Sequence, residues 1–241
     1  MILAAGRGQR MRPLTDATPK PLLPVQGQPL MQWPLQALAR GGVDHVVVNT
    51  GWLGDQIPAH FGERPALGDA PALRISYSHE GRGDGEALET AGGIARALPL
   101  LDDVFWLAAG DVFAPGFVFS PQAVARFAAG DALAHLWLVP NPAHNLKGDF
   151  GLSDAGLALN LPADAMAPRY TYSTLGLYRA ALFAPPWCDI VPGNPKGQQA
   201  PLAPLLRAAM NAGRVSAELY TGAWTDVGTP ERLAQLNAAP A

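Results

Sequence analysis

Met1-Ile2-Leu3-Ala4-Ala5-Gly6-Arg7-Gly8-Gln9-Arg10-Met11 opens the chain. Five small or apolar residues are followed by two glycines set among polar side chains. A short apolar run closed by glycine predicts a buried strand over residues 1–5 that leads directly into a tight turn. The glycines also matter chemically, because without Cβ atoms the backbone N–H groups can approach phosphate oxygens closely. Their spacing fits neither G-x-G-x-x-G nor G-x-x-x-x-G-K-[ST]. Taken alone, the turn also suits an ordinary strand–helix connection.

Working outward, residues 45–49 (His-Val-Val-Val-Asn), 73–77 and 104–108 are further segments that read as strands. Between them Leu30, Trp33, Ala37 and Leu38 fall at helical spacing before Gly41-Gly42, and Leu53, Ile57 and Phe61 recur every fourth residue. Residues 92–98 read as a third helix. Ser120-Pro121 supplies the cap and first position of a fourth. Strands alternating with helices predict an α/β fold: a Rossmann-like, mainly parallel mixed sheet with helices on both faces, in a single domain. Such sheets bind ligands beyond the carboxyl ends of their strands, so chemistry is expected just after Ala5 and Ala108. The second half is less regular. Residues 134–139 and 170–178 read as strands, and 150–152 and 157–161 flank a turn at Ser153-Asp154-Ala155-Gly156. One helix closes at Gly213 and a last one starts at Thr229-Pro230.

Composition narrows the class. The chain has 241 residues, 49% hydrophobic and 15% charged, which suits a folded globular protein. A net charge of −3 argues against a nucleic-acid binder. Cys188 is the single cysteine, so an intrachain disulfide is excluded. There is no signal-like opening and no run of about 20 apolar residues, so a cytoplasmic protein without a membrane span is expected. No repeat is present, and hexapeptide repeats of a β-helix are absent.

Arg10 and Lys20 are cations placed to meet a triphosphate, Lys20 between Pro19 and Pro21, which stiffen its backbone. Asp111 ends the apolar run 104–109 after Gly110. A carboxylate at that end of a strand suits a hard cation such as magnesium. The five histidines are scattered and form no convincing Ser-His-Asp or Cys-His set.

The run Leu3-Ala4-Ala5-Gly6-Arg7-Gly8-Gln9-Arg10-Met11, with Pro13-Leu14-Thr15 and Pro19-Lys20-Pro21-Leu22, resembles the signature L-A-A-G-x-G-x-R-M-x-P-L-T…P-K-P-L of the sugar-phosphate nucleotidyltransferases. Trp224-Thr225-Asp226-Val227-Gly228-Thr229-Pro230 resembles the family's W-x-D-[VI]-G-T-P segment, and Glu86-Ala87-Leu88-Glu89-Thr90-Ala91-Gly92 its E-P-L-x-T-[AG]-G segment. The resemblance implies a nucleotidyltransferase fold of the GT-A-like kind. Residues 1 to about 130 would form the nucleotide-binding half, and about 131 to 241 the sugar-binding half with a metal-binding end.

On that resemblance Leu3, Ala4, Ala5 and Gly6 hold base and ribose, while Gly8, Gln9 and Arg10 wrap the phosphates. Lys20 neutralises developing charge, and Glu86, Leu88 and Gly93 border the base. Asp111 and Asp226 would share Mg2+. Residues such as Trp52-Leu53-Gly54-Asp55-Gln56-Ile57 and Gly148-Asp149-Phe150 are most similar to short uridylyltransferases of cell-wall recycling. There Asp149 would bond the sugar, and Ala109 stands where an asparagine contacts it. The implied substrates are UTP and a sugar-1-phosphate, N-acetylmuramic acid α-1-phosphate being favoured. The implied assembly is a monomer or small homo-oligomer. Another pair, such as GTP with mannose-1-phosphate, and a non-catalytic sugar-nucleotide-binding subunit remain alternatives.

Overall fold

The computed structural model describes residues 1–81, 87–162 and 164–238. In chain order its strands and α-helices begin with β1 (Ile2–Ala4), β2 (Pro24–Val25), β3 (Gln28–Pro29), α1 (Gln32–Arg40) and β4 (His45–Thr50). Next come α2 (Gln56–Phe61), β5 (Arg74–His79), α3 (Glu89–Ala97), β6 (Val104–Ala109), β7 (Val112–Phe113) and α4 (Pro121–Ala129). The second half holds β8 (Ala134–Val139), β9 (Phe150–Leu152), β10 (Ala158–Leu159) and β11 (Arg169–Arg179). The chain then forms α5 (Leu202–Asn211), β12 (Val215–Leu219), β13 (Thr225–Asp226) and α6 (Pro230–Ala238).

The chain divides into two compact units, Met1–Leu88 with Ala108–Pro121 and Ala223–Ala241, and Glu89–Leu107 with Gln122–Gly222. In the first unit β4 lies between β1 and β5, parallel to both, and the last two residues of β6 run parallel to β1. Five of the six residues of β4 are buried. Burial of successive residues, three valines followed by the polar Asn49 and Thr50, belongs to a strand covered on both faces. Helix α1 buries Leu35, Leu38 and Ala39 and ends where the Gly41 N–H bonds Ala37 O. A second nucleus joins Met11, Leu23, Val25, Leu30, Phe113, Val227 and Leu233. Residues from the start, middle and end of the chain thus share one core, which fixes the loops between them.

The second unit carries a mixed sheet. β11 runs antiparallel to β6 on one side and to β8 on the other, and β12 lies parallel to β8. β9 pairs antiparallel with the start of β11 and with β10. The 150–161 hairpin is therefore present as the alternation predicts. The ladder of β11 and β8 breaks between Tyr172 and Gly176, and Thr174 there has φ +62. A β-branched residue rarely takes that backbone conformation. Its hydroxyl donates to Ser173 O (2.6 Å).

Two elements depart from the sequence pattern. Helix α2 starts at Gln56, because Leu53 adopts φ +49 inside a turn. β12 escapes the pattern altogether. Among the described residues no helix is long and apolar enough to cross a membrane.

Candidate active site

Strand β1 delivers the glycine turn. Its register puts Ile2 beside Ala108 and Leu3 beside Ala109, so the turn after Ala5 and the bend after Ala109 leave neighbouring parallel strands at the same end. The Gly110 N–H bonds Leu3 O (2.8 Å), fixing the residue before Asp111 to β1. The Ala4 N–H bonds Oδ1 of buried Asn49 (2.7 Å). Asn49 donates through Nδ2 to Glu80 (2.6 Å), whose other oxygen accepts the Leu88 N–H (3.0 Å). Two strand ends and the segment at Leu88 are thus tied through two polar side chains.

Gly8 takes φ +65 at the start of a 3-10 turn over Gln9–Met11. A Cβ there would lie 3.1 Å from the Thr15 methyl and 3.4 Å from Lys20 Cβ. The Thr15 hydroxyl donates to Gly8 O (2.9 Å). The long signature therefore acts as one local object: Thr15 and the stem of Lys20 wall the turn that Gly8 makes possible. Gly6 is exposed, so its backbone is open to solvent.

Lys20 is almost fully buried, and its ammonium forms an ion pair with the Asp111 carboxylate. A lysine is buried at this cost only when paired. Asp226 follows on β13, which pairs antiparallel with β7: Asp226 faces Val112, and the Val227 N–H bonds Asp111 O (2.9 Å). Val112 and Val227 are buried, whereas both aspartates keep partial exposure. Arg232, in the first turn of α6, donates through Nη1 to Asp226 Oδ1 (2.5 Å) and Asp226 O (2.9 Å). Thr229 accepts the Arg232 N–H at the start of that helix (3.4 Å). At Gly228 a Cβ would come 2.5 Å from Arg232 Nη2 and 3.3 Å from Arg10 Nη2. Both guanidinium groups thus lie beside the backbone of the Asp226 segment.

Gly8, Arg10, Lys20, Asp111 and Asp226, along with Leu3, Ala4, Ala5, Gly6, Gln9, Leu88 and Ala109, all lie in the first unit. Three cations there accompany two carboxylates, an arrangement that favours an anionic ligand. The donor set fits magnesium. Among the described residues no group of three or more Asp, Glu, His or Cys could hold a metal. A magnesium ion that binds mainly phosphate oxygens and water uses one or two protein carboxylates, and Asp111 and Asp226 are the two that this unit would supply.

Gly93 and Asp149 belong to the second unit. Gly93 is buried within α3. Asp149 accepts the Tyr172 N–H at Oδ2 (2.8 Å) and Asn145 Nδ2 at Oδ1 (3.3 Å), which knits the 141–149 loop to β11. Glu86 lies outside the described residues. The sequence pattern missed Arg232 and Asn49. Arg232 lies two residues beyond Pro230, and Asn49 is a polar residue directly after three valines of a strand; each is a signal open to reading.

Residues 1–156 match the sequence model of the family described as Nucleotidyl transferase. The chain belongs to that family. It is 44% identical to N-acetylmuramate alpha-1-phosphate uridylyltransferase of Neisseria meningitidis serogroup B, over 99% of this chain and 96% of that one. It is 33% identical to the protein of the same name from Caulobacter vibrioides, over 96% and 92%. A solved structure from Bacillus anthracis, described as a glucose-1-phosphate thymidylyltransferase, superposes with a TM-score of 0.79 at 20% identity, over 98% of this chain and 92% of that one, and shows the shared fold.

Proposed function

We propose that this protein transfers a uridylyl group from UTP to N-acetylmuramic acid α-1-phosphate, giving the UDP-sugar and pyrophosphate. The reading assigns it to cytoplasmic recycling of cell-wall sugars, as a monomer or small homo-oligomer. The observation that carries the reaction type is the gathering of Gly8, Arg10, Lys20, Asp111 and Asp226 in one unit, with Lys20 paired to Asp111. Identity of 44% across nearly the whole chain supports the substrates.

A phosphate oxygen of the sugar-1-phosphate attacks the α-phosphorus of UTP in line. The new P–O bond forms as the bond to the β-phosphate bridging oxygen breaks, and pyrophosphate leaves with that electron pair. No protein nucleophile is needed; alignment and charge neutralisation supply the acceleration. Leu3 to Gly6 receive base and ribose, and the N–H groups of Gly8 and Gln9 with the Arg10 guanidinium hold the triphosphate. Lys20 offsets the charge that grows on the phosphates. Asp111 and Asp226 would hold Mg2+, which when bound screens phosphate charge and orients the oxygens. Leu88 borders the base, and Ala109 borders the sugar.

Pyrophosphate release tests this directly. UTP, GTP, CTP and dTTP are each offered with a panel of sugar-1-phosphates that includes N-acetylmuramic acid α-1-phosphate and mannose-1-phosphate. Release with UTP and the muramic acid phosphate, dependent on Mg2+, is the expected result. Preference for GTP with mannose-1-phosphate replaces the substrates but keeps the chemistry. Nucleotide binding without release from any pair overturns the enzyme reading.

A further inference from the structure

Trp52, just past the end of β4, touches the glycine turn at three separate points. Its backbone N–H bonds Ala5 O (3.1 Å), and its indole Nε1–H donates to Thr15 O (2.8 Å). The Arg7 guanidinium carbon lies 3.7 Å from the ring centroid, well inside cation–π range. Neighbouring residues extend the grip. A Cβ on Gly51 would come 2.7 Å from Ala5 O, so the 51–52 backbone lies directly against the turn. Gln56 Nε2 donates to Ala17 O (3.0 Å). Leu53 holds φ +49, a conformation costly for leucine, in the turn that aims Trp52 and Gln56 at the same loop. All these residues belong to the first unit.

A turn containing two glycines has many conformations to lose when a ligand orders it. Contacts that order it beforehand remove that cost from binding. We propose that Trp52 is a positioning residue for the nucleotide turn. It holds Ala5 and Thr15 in their bound-like arrangement, and Arg7 closes over its ring as a latch. Through Thr15 the hold reaches Gly8, since Thr15 donates to Gly8 O (2.9 Å). The inference rests on residues 3–10 being the nucleotide site, but its structural half can be measured without nucleotide.

Trp52→Phe keeps a ring beneath Arg7 and loses the indole N–H, whereas Trp52→Leu loses both. Amide hydrogen exchange on ligand-free protein is expected to speed up within residues 5–16 in the order wild type, Phe, Leu, with β4 and β5 unchanged. The loss of one hydrogen bond and one cation–π contact should raise the KM for UTP about tenfold in Trp52→Leu. kcat and the KM for sugar-1-phosphate should stay within about twofold, because ground-state nucleotide binding alone is affected. Unchanged exchange in both variants overturns the proposal. So does exchange that rises throughout the first unit while both KM values rise together, which marks a general packing role. Local exchange that rises in a chain showing no saturation by UTP even in the wild type supports the brace and refutes the nucleotide reading.

Discussion

Arg232 holds Asp226 at two points, donating from Nη1 to its Oδ1 (2.5 Å) and to its carbonyl oxygen (2.9 Å). Both side chains are largely shielded, with 15% and 25% exposure, so the bond sets where the carboxylate points. If Asp226 is a magnesium ligand, Arg232 is the residue that orients it. Removing such a supporting partner usually costs about 10–100-fold in metal affinity or activity. Arg232→Gln is therefore expected to raise the Mg2+ concentration for half-maximal turnover by about that factor. Direct Mn2+ titration should show the same shift, with the far-ultraviolet circular dichroism unaltered. Wild-type metal dependence in the variant would remove Arg232 from this role.

Lys20 and Asp111 form the other pair, and here the prediction concerns coupling. Lys20→Ala should lower kcat on the order of 100-fold, the scale of one lost preorganised electrostatic contact. Asp111→Asn should lower the Mg2+-dependent turnover by at least as much. Because the two side chains share one ion pair, their effects should not add. The double variant is expected to be no slower than the slower single variant. Strict multiplication of the two losses would show that they act at separate places.

How much of this was open to sequence reading depends on what holds each element together. β1, β4 and β6 are buried strands whose apolar runs carry their own signal, and α1 closes at the expected Gly41. The glycine turn was legible because Gly8, Thr15 and Lys20 are local in sequence and touch in space. β7 and β13 were not legible. Each is two residues long, too short for periodicity, and exists only through a ladder between distant parts of the chain. Helical spacing from Leu53 was misleading, since a left-handed residue interrupts it before Gln56. β12 is a parallel partner of β8 whose outer end is exposed, so its hydrophobic alternation is weak.

Asn49 offers a stability test close to the site. It is 3% exposed and both ends of its amide are used, Oδ1 by the Ala4 N–H and Nδ2 by Glu80. Asn49→Ala strands the Ala4 donor and removes a partner from Glu80, a loss expected to cost about 1–3 kcal/mol. Urea denaturation should show a lower midpoint at an unchanged slope. Asn49→Asp should be worse than Ala near neutral pH, because it places a second carboxylate against Glu80. A midpoint for Asn49→Ala equal to that of wild type would mean that the network carries no net stability.

His135 gives a pH prediction in the second unit. Its ring packs edge-on against Trp137, with centroids 4.5 Å apart, and Nδ1 shares a hydrogen bond with the Ser216 hydroxyl (2.8 Å). Burial pushes the imidazole below its ordinary value of 6.5; Glu218 opposes the shift, and Arg126 adds to it. The unfolded chain therefore binds a proton at His135 before the folded chain does, and stability rises with pH in that window. The contribution is intact above 6.5 and is lost as the pH falls below that value toward the lower folded one. His135→Gln retains an amide able to bond Ser216 but cannot titrate. Between about pH 7.5 and about pH 5.5, the Tm of wild type is expected to fall further than that of the variant. The comparison subtracts the acid sensitivity that all carboxylates and the other histidines share. Equal falls in the two proteins would show that His135 takes up its proton as readily in the folded chain as in the unfolded one.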